Sequence, residues 1–308
     1  MPRHRIRRSA LSATVAAAVV LAGSAAGGAY LTGRSPDHAP AAAASVSSAS
    51  PAATAPVAAT SEEPVMDLDT ELAAAVDPLL SGSDTAAVSV AVLDSDSGTR
   101  AVYGGADATY DTASIVKVDI LAALLLLAQD EERELTSVER AHAVAMIERS
   151  DNDSATALLA AVGGAAGLDA ANARLGLTAT TAAKAWGLTR TTAADQLTLL
   201  GAVFGTDPET ELSEASRAYV QGLMTQVEAD QRWGVSAAGG EWALKNGWMP
   251  RTATGLWNIN SIGQVTKGGH TYLVAVLSGG QRTKETGIAL VESVAKAAVG
   301  VVRAGTGE

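Results

Sequence analysis

The chain has 308 residues, of which 47 % are apolar and 18 % charged, and it contains no cysteine. This composition is typical of a globular protein with a sizeable core, and it excludes a wholly disordered or fibrous chain. The absence of cysteine excludes a thiol nucleophile, an iron–sulfur cluster, a thiolate zinc site and a disulfide framework. A formal net charge of −11 disfavours contact with phosphate backbones, so we expect no nucleic-acid partner.

The first 34 residues predict an export signal. They contain five arginines and no acidic residue, and an uncharged stretch rich in Ala, Val and Leu runs from about Ala10 to Leu31. A basic start followed by an apolar run is typical of a secretory signal peptide, but the run is also long enough to be retained as a membrane anchor. We therefore expect a secreted or cell-surface protein, with a single-pass anchor and membrane contact at residues 1–34 as the alternative.

Residues 35–65 predict a flexible linker, because they are dominated by Ala, Ser, Pro and Thr and offer almost no large apolar side chain to a core. One folded domain is then expected over residues 66–308. It begins with a helix, since Leu68, Leu72 and Val76 recur at helical spacing.

The apolar pattern predicts the later elements in chain order: a β-hairpin over about 88–102, a buried helix over 115–128, four or five helices over 136–227, strands at 242–245, 257–265 and 272–278, and a closing helix over 284–303. Thr136 and Glu139 predict a capping box, Ser154 begins another helix, and Asp169 favours the N-cap of a further one. The fold class is therefore α+β: an antiparallel β-sheet flanked by N- and C-terminal helices, with an inserted helical subdomain.

Ser114 and Lys117 form a candidate catalytic pair at the start of the buried helix. Their spacing of three places both side chains on one face, where the amine can deprotonate the hydroxyl. Burial favours the neutral lysine that a base requires, and the helix N-terminus favours a developing alkoxide. The pattern alone is weak, because Ser293 and Lys296 repeat it inside the closing helix, with nothing catalytic around them.

Two further motifs follow at long intervals. Ser150-Asp151-Asn152 begins 36 residues after Ser114, and Lys245-Asn246-Gly247 begins a further 95 residues on. Taken singly, the first is also explained by a helix end that meets an N-cap, and the second by a turn that ends the preceding strand. Three motifs in this order, each in an element suited to the chemistry, make coincidence a poor explanation.

Through these motifs the chain, from about Met66 to its end, resembles the serine β-lactamase and penicillin-binding protein superfamily, and most closely the class A β-lactamases. The resemblance implies an exported serine acyl hydrolase in which Ser114 is the acylated nucleophile and Lys117 its base. Ser150 would relay a proton between Lys117 and the leaving nitrogen.

The resemblance also implies the substrate-binding residues, which are Asn152, Lys245, Asn246, Gly247 and Trp248. Asn152 would hold the substrate amide, and Lys245 would supply positive charge for a substrate carboxylate and tune Ser150. The backbone N–H groups of Ser114 and Trp248 would form the oxyanion hole. The implied partner is a small β-lactam or a peptidoglycan-type peptide bound by a monomer, and no metal or organic cofactor is implied.

Three departures from the family pattern alter the expectation. Asn246 stands where the family usually has a Thr or Ser hydroxyl, which bears on recognition of the β-lactam carboxylate. The interval between Ser114 and Ser150 is shorter than in typical class A enzymes. No glutamate occurs from Asp151 to Pro208, where the family carries the residue that activates the deacylating water. The motifs therefore predict the acylation machinery without the usual deacylation machinery.

Several readings stay open at this point. The enzyme alternatives are a β-lactamase with an unusual route to water, a D,D-peptidase and an esterase; the non-enzyme alternative is a tethered protein that binds β-lactams or cell-wall peptides without turnover. No pair among the four histidines has metal-ligand spacing, so a metalloenzyme is not expected. Four tryptophans surround the third motif, and of these Trp248 should line the cleft. Arg251 either reaches a substrate carboxylate or is an exposed loop arginine.

Overall fold

A computed structural model describes residues 67–82, 85–105, 107–207 and 209–307. The chain divides into units Met1–Ser61 and Glu62–Glu308, and every described residue belongs to the second. The predicted export signal and linker lie outside the described residues, and the domain boundaries stay a prediction.

The described residues form eight α-helices and seven strands. The helices are α1 (Leu68–Leu80), α2 (Val116–Asp130), α3 (Ser137–Glu148), α4 (Asn152–Ala161), α5 (Gly164–Arg174), α6 (Ala193–Phe204), α7 (Glu214–Met224) and α8 (Lys284–Gly305). The strands are β1 (Ala87–Asp94), β2 (Arg100–Tyr103), β3 (Tyr110–Asp111), β4 (Arg190–Thr191), β5 (Trp242–Pro250), β6 (Trp257–Lys267) and β7 (His270–Gln281). Short 3₁₀ helices span Ala113–Ile115, Trp186–Leu188, Ala229–Gln231 and Gly234–Ala238.

Five strands make one antiparallel sheet in the order β2-β1-β7-β6-β5, so the first and last parts of the domain meet at its centre. The central position of β7 explains why its sequence is almost continuously apolar. Tyr272, Val274 and Val276 face α1 and α8, whereas the alternating residues between them face the inserted helices. Both faces of the sheet are therefore covered, and the predicted α+β architecture is confirmed.

Helix α2 is the centre of the inserted helical part. Almost all its residues are buried, including Lys117 and Asp119, which explains why its apolar pattern is continuous rather than one-sided. The predicted capping box is present, since Thr136 Oγ1 accepts from Glu139 N at 3.2 Å and a Glu139 carboxylate oxygen accepts from Thr136 N at 2.7 Å. Among the described residues no single helix is long and apolar enough to cross a membrane; only the bent pair α4 and α5, taken together, meets the length and hydropathy criteria.

Three details differ from the predictions. Helix α4 begins at Asn152 rather than Ser154, because the Asp151 side chain caps it by accepting from Ser154 N at 2.7 Å. Asp169 is not an N-cap: it lies inside α5, which starts earlier, at Gly164, after the left-handed N-cap Gly163. Strand β5 continues to Pro250, so the third motif lies within a strand rather than at its end.

Candidate active site

Ser114 lies in the 3₁₀ turn that leads into α2, and its hydroxyl is held against the first turn of that helix. Lys117 Nζ lies 2.9 Å from Ser114 Oγ. The preceding residue, Ala113, has φ of +46°, a left-handed conformation that is unfavourable for a residue with a Cβ. The chain therefore holds the candidate nucleophile in a locally strained turn beside its base.

Lys117 Nζ is surrounded by four oxygen atoms. Besides Ser114 Oγ, these are Ser150 O at 2.7 Å, Ser150 Oγ at 3.0 Å and Asn152 Oδ1 at 2.9 Å. The carbonyl of Ser150 and the amide oxygen of Asn152 accept hydrogen bonds only. A neutral amine satisfies both with its two hydrogens and keeps its lone pair for a hydroxyl hydrogen. The arrangement therefore suits Lys117 as a general base.

The environment of Lys117 also lowers its pKa, which favours the neutral amine that a general base requires. Burial lowers the pKa of Lys117 from its ordinary 10.5 to about 8, and the negative charge of Asp151 partly opposes this shift. About a tenth of Lys117 is therefore neutral near pH 7, whereas a lysine on the surface is almost wholly charged.

Ser150 connects Lys117 to the third motif. It occupies the corner between α3 and α4 with φ of +55°, and its Oγ lies 3.0 Å from both Lys117 Nζ and Lys245 Nζ. Lys245 is fully buried, and burial followed by the nearby charge of Lys117 holds its pKa well below 10.5. This environment disfavours the positive charge that the resemblance assigns to Lys245, and it favours a hydrogen-bonding role toward Ser150.

Gly247 explains how β5 approaches the nucleophile so closely. A Cβ at this position would lie 2.7 Å from Thr112 O, 2.8 Å from Ser114 N and 2.9 Å from Ile115 N. Only glycine fits between these backbone atoms. Trp248, the next residue, lines the same cleft as Ser114, and the predicted oxyanion hole requires their backbones to lie close together.

The structure does not bring the side chain of Asn246 together with the other site residues, although its backbone carbonyl accepts from Lys245 Nζ at 3.0 Å. Its Nδ2 donates to Gln231 O at 2.7 Å and Trp233 O at 3.0 Å, and the side chain is buried behind the strand. Asn246 thus anchors the segment before β5 rather than the cleft. Asn152 and Trp248, by contrast, both line the cleft.

The cleft above Ser114 has a volume of about 650 Å³, and apolar residues line much of it: Trp186, Leu188, Trp248, Met249 and Pro250. Arg251 is the charged residue among the described lining residues, and no carboxylate lines the cleft there. Asp169 lies in the part of the chain where the family carries its deacylating glutamate, but its side chain is engaged elsewhere, because its Oδ1 accepts from Ala182 N at 2.7 Å. The described part of the site therefore holds acylation groups without a carboxylate base.

Sequence reasoning missed two parts of this site. Trp186 lies over the amine of Lys117, with Nζ 4.8 Å from the ring centroid. Asp111 is buried beneath the outer end of the cleft and forms an ion pair with Arg251. Neither residue belongs to a recognisable motif. The one available hint was the isolation of Trp186 from the other four tryptophans in the sequence.

Among the described residues, Asp94, Asp96 and His270 are close enough to share a metal ion, with ligand atoms within 4.8 Å of one another. Hydrogen bonds already account for their positions: Asp94 Oδ1 accepts from Asp96 N at 2.9 Å, and Asp96 Oδ2 accepts from Thr271 N at 2.8 Å. These bonds tie the β1–β2 turn to the β6–β7 turn. The second Ser-x-x-Lys pair also has a structural setting, since Ser293 Oγ donates to Ala289 O inside α8.

Comparison with known proteins agrees with this geometry. Residues 139–302 match the family model Beta-lactamase2, described as the Beta-lactamase enzyme family. The chain belongs to this family, and the predicted resemblance is confirmed. A search of curated proteins finds no match.

Solved structures with the same fold include a class A β-lactamase from Bacteroides cellulosilyticus DSM 14838. It is 18 % identical, with a TM-score of 0.66 over 77 % of this chain and 99 % of that one. The structure of PBP-A is 20 % identical, with a TM-score of 0.64 over 79 % and 98 %. A PBP-A mutant solved as an acyl-enzyme complex with penicillin G is 21 % identical, with a TM-score of 0.64 over 76 % and 97 %.

Proposed function

We propose that the protein is an exported serine acyl hydrolase that forms an acyl-enzyme at Ser114 with a β-lactam or a related amide or ester, and releases the acyl group slowly. Family membership supports a serine β-lactamase type of function at the level of reaction class. The observation that carries the proposal is the position of Lys117 Nζ, 2.9 Å from Ser114 Oγ and 3.0 Å from Ser150 Oγ.

In the proposed acylation, Ser114 Oγ attacks the carbonyl carbon while its proton passes to neutral Lys117. The backbone N–H groups of Ser114 and Trp248 stabilise the negative oxygen that forms. The C–N bond then breaks, and the proton returns to the leaving nitrogen through Ser150. The Ser150 hydroxyl donates its own proton to the leaving nitrogen and takes one from protonated Lys117. The products are a Ser114 ester and a neutral amine, with Lys117 again unprotonated.

Completion of the reaction needs water to attack the Ser114 ester and to give up a proton. No carboxylate lines the described cleft, and the side chain of Asp169 is engaged by a backbone N–H. This favours a long-lived acyl-enzyme. A protein that is acylated but does not turn over is therefore the second candidate function.

The test is the intact mass of the full-length protein against time after mixing with penicillin G or, separately, with a D-alanyl-D-alanine peptide. The PBP-A mutant complex makes penicillin G the first choice of probe. We expect a mass increase equal to the whole penicillin, localised to Ser114 and absent from the Ser114→Ala variant. A lasting adduct would indicate an acylation-only protein or an inhibited D,D-peptidase. Free protein together with hydrolysed penicillin would indicate a β-lactamase.

Adduct formation in the Ser114→Ala variant would contradict the assignment of the nucleophile. A wild-type protein that reacts with neither compound would contradict the proposed β-lactam and peptide substrates and leave the esterase reading, which p-nitrophenyl esters would test.

Export is also part of the proposal, and the basic start and apolar run within residues 1–34 support it. Expression of the full chain followed by fractionation and N-terminal sequencing distinguishes a cleaved signal from a retained anchor. A full-length product in the cytoplasm would contradict export. Light scattering on the purified protein tests the proposed monomer.

A further inference from the structure

The outer end of the cleft carries an excess of positive charge in a protein that is acidic overall. Asp111, which is 4 % exposed, lies between two arginines: its Oδ1 is 3.2 Å from Arg190 Nη1, and its Oδ2 pairs with Arg251 Nη1. Among the described residues Asp111 is the carboxylate within ion-pair distance of either arginine. Two guanidinium groups thus share one carboxylate, and one positive charge is left uncompensated.

The fold fixes this cluster firmly. Asp111 and Arg190 are directly opposite each other in the β3–β4 pair, where opposite charges attract. Asn258 Nδ2 donates to Asp111 Oδ2 at 3.2 Å from β6. Both arginine side chains remain substantially exposed, at 48 % for Arg190 and 38 % for Arg251. Arg251 itself lines the cleft, so its guanidinium is held in position by Asp111 while it stays accessible to a ligand.

The direction of β5 shows which half of a substrate would meet Arg251. Lys245, beside the proton relay of Ser150, lies in the first half of the strand, and Arg251 follows directly after the last residue of the strand. Trp248 lies between them, and successive residues of a strand advance by about 3.3 Å. A substrate whose carbonyl oxygen points at Trp248 N therefore has its leaving nitrogen toward Lys245 and its acyl substituent toward Arg251.

The two ends of the cleft differ in charge. At the leaving-group end, Lys245 is buried in a setting that disfavours its charge, and Asn246 is turned away from the cleft. At the acyl end, Arg251 is permanently charged and exposed to the cleft.

We propose that Arg251, held by Asp111, forms a subsite for a carboxylate on the acyl half of the substrate. The natural substrate class would be an amide or peptide whose acyl portion carries an anionic group close to the scissile carbonyl. This inference rests on the proposed function, because it assumes that Ser114 is the reacting centre.

Benzylpenicillin and carbenicillin provide a matched pair of probes, because carbenicillin differs only by a carboxylate on the α-carbon of its acyl side chain. The second-order rate of Ser114 acylation is measured for each by intact mass with the full-length protein. We expect the acylation rate with carbenicillin to be at least about three times that with benzylpenicillin in wild type. The ratio of the two rates should fall toward one near 500 mM NaCl, because salt screens the charge of Arg251.

Substitutions at Arg251 test the subsite itself. Arg251→Gln should reduce the carbenicillin-to-benzylpenicillin ratio about three- to tenfold, and Arg251→Lys should retain most of it because the charge remains. Arg140→Gln is the matched control: Arg140 is 46 % exposed, pairs with Glu134 at 2.7 Å and does not line the cleft. Equal ratios in wild type and in Arg251→Gln would overturn the proposal, as would an equal loss in Arg140→Gln.

A second measurement separates this inference from the proposed function. Binding of the same two compounds to the Ser114→Ala protein is measured by calorimetry and needs no acylation. Carbenicillin should bind at least about threefold more tightly than benzylpenicillin to Ser114→Ala. This difference should disappear in the double variant that also carries Arg251→Gln. Lack of any adduct in wild type would contradict the proposed function alone. Equal binding of the two compounds to Ser114→Ala would overturn the subsite alone.

Discussion

The indole ring of Trp186 covers the amine of Lys117, with Nζ 4.8 Å from the ring centroid. At this distance no water fits between the ring and the amine. A hydrogen bond from Trp186 Nε1 to Thr156 Oγ1, 3.2 Å long, holds the ring in this position. The same contact stabilises the protonated form of Lys117, since the face of an aromatic ring attracts a cation. Trp186 is therefore placed to influence both halves of the proposed reaction.

Replacing Trp186 with Ala should shorten the life of the acyl-enzyme. Removal of the ring opens a path for water to Lys117 and removes a contribution that favours the charged amine. We expect loss of the penicillin G adduct to speed up by about tenfold, which corresponds to about 1.4 kcal/mol in the barrier. The measurement is the decay of adduct mass after excess penicillin is removed.

Trp186→Phe serves as the control for this substitution. It keeps a ring over Lys117 while losing the bond to Thr156, so its adduct should decay at a rate closer to that of wild type. If Trp186→Ala and wild type release the acyl group equally slowly, the ring does not limit access of water.

The rate of acylation should depend on the ionisation of Lys117. Burial lowers the pKa of Lys117 to about 8, and the neutral amine is the reactive form. The acylation rate should therefore rise about tenfold per pH unit below pH 8 and level off above it. Lys117→Arg, which stays protonated, should lose acylation at all pH values.

Asp119 requires a separate control in that experiment, because burial also raises its pKa to about 8. It lies on α2 two residues beyond Lys117 and is fully buried. Asp119→Asn removes this titration while nearly preserving the shape of the side chain. A pH profile that keeps its step in Asp119→Asn assigns the step to Lys117, whereas its disappearance would assign the step to Asp119.

Lys245→Met should separate stability from activity. A buried amine is costly, and Met fills a similar volume without it. We expect the free energy of unfolding at pH 7 to rise by about 1 kcal/mol, or about 2–4 °C in Tm, while the acylation rate falls because Ser150 loses a hydrogen-bond partner. Thermal unfolding measures the change in Tm, and intact mass against time measures the change in acylation rate, each relative to wild type.

The free energy of unfolding of the wild-type protein should depend on pH through Lys245. The folded pKa of Lys245 is below that of the unfolded chain, so the unfolded state binds more protons and wild-type stability rises with pH toward 10.5. Lys245→Met should flatten that rise. The exposed Lys296, replaced by Met, is the matched control and should change neither quantity. A Lys245→Met protein less stable than wild type at pH 7 would show that the hydrogen bonds of Lys245 outweigh the cost of its burial.

Much of the fold was predictable because the relevant signals are local. The continuous apolar run of α2 and the Thr136 capping box each lie within one element, and both are confirmed. Strand β5 was predicted too short because the Lys245-Asn246-Gly247 motif is also typical of a turn that ends a strand. As an edge strand that pairs only with β6, β5 tolerates both Gly247 and Pro250.

The site was predictable where motifs mark it and not where distant contacts build it. Ser114, Lys117, Ser150 and Lys245 lie in recognisable patterns, and the structure brings them together. The pairing of Asp111 with Arg251, by contrast, joins residues 140 positions apart. No local pattern encodes such a contact, because β3 and β5 belong to different sheets and only the folded domain brings their ends close together.

Gly247→Ala tests whether the close approach of β5 to Ser114 creates the oxyanion hole. The added Cβ would lie 2.7 Å from Thr112 O and 2.8 Å from Ser114 N, both backbone atoms that cannot move without displacing the nucleophile. We expect a loss of about 1–3 kcal/mol in stability and a fall of about 100-fold or more in the acylation rate. Gly300→Ala is the control, since nothing lies within 4 Å of its added Cβ on α8, and it should stabilise the protein by about 0.5–1 kcal/mol without changing acylation. Chemical denaturation and intact-mass kinetics measure both effects, and acylation by Gly247→Ala at the wild-type rate would mean that the oxyanion is stabilised elsewhere.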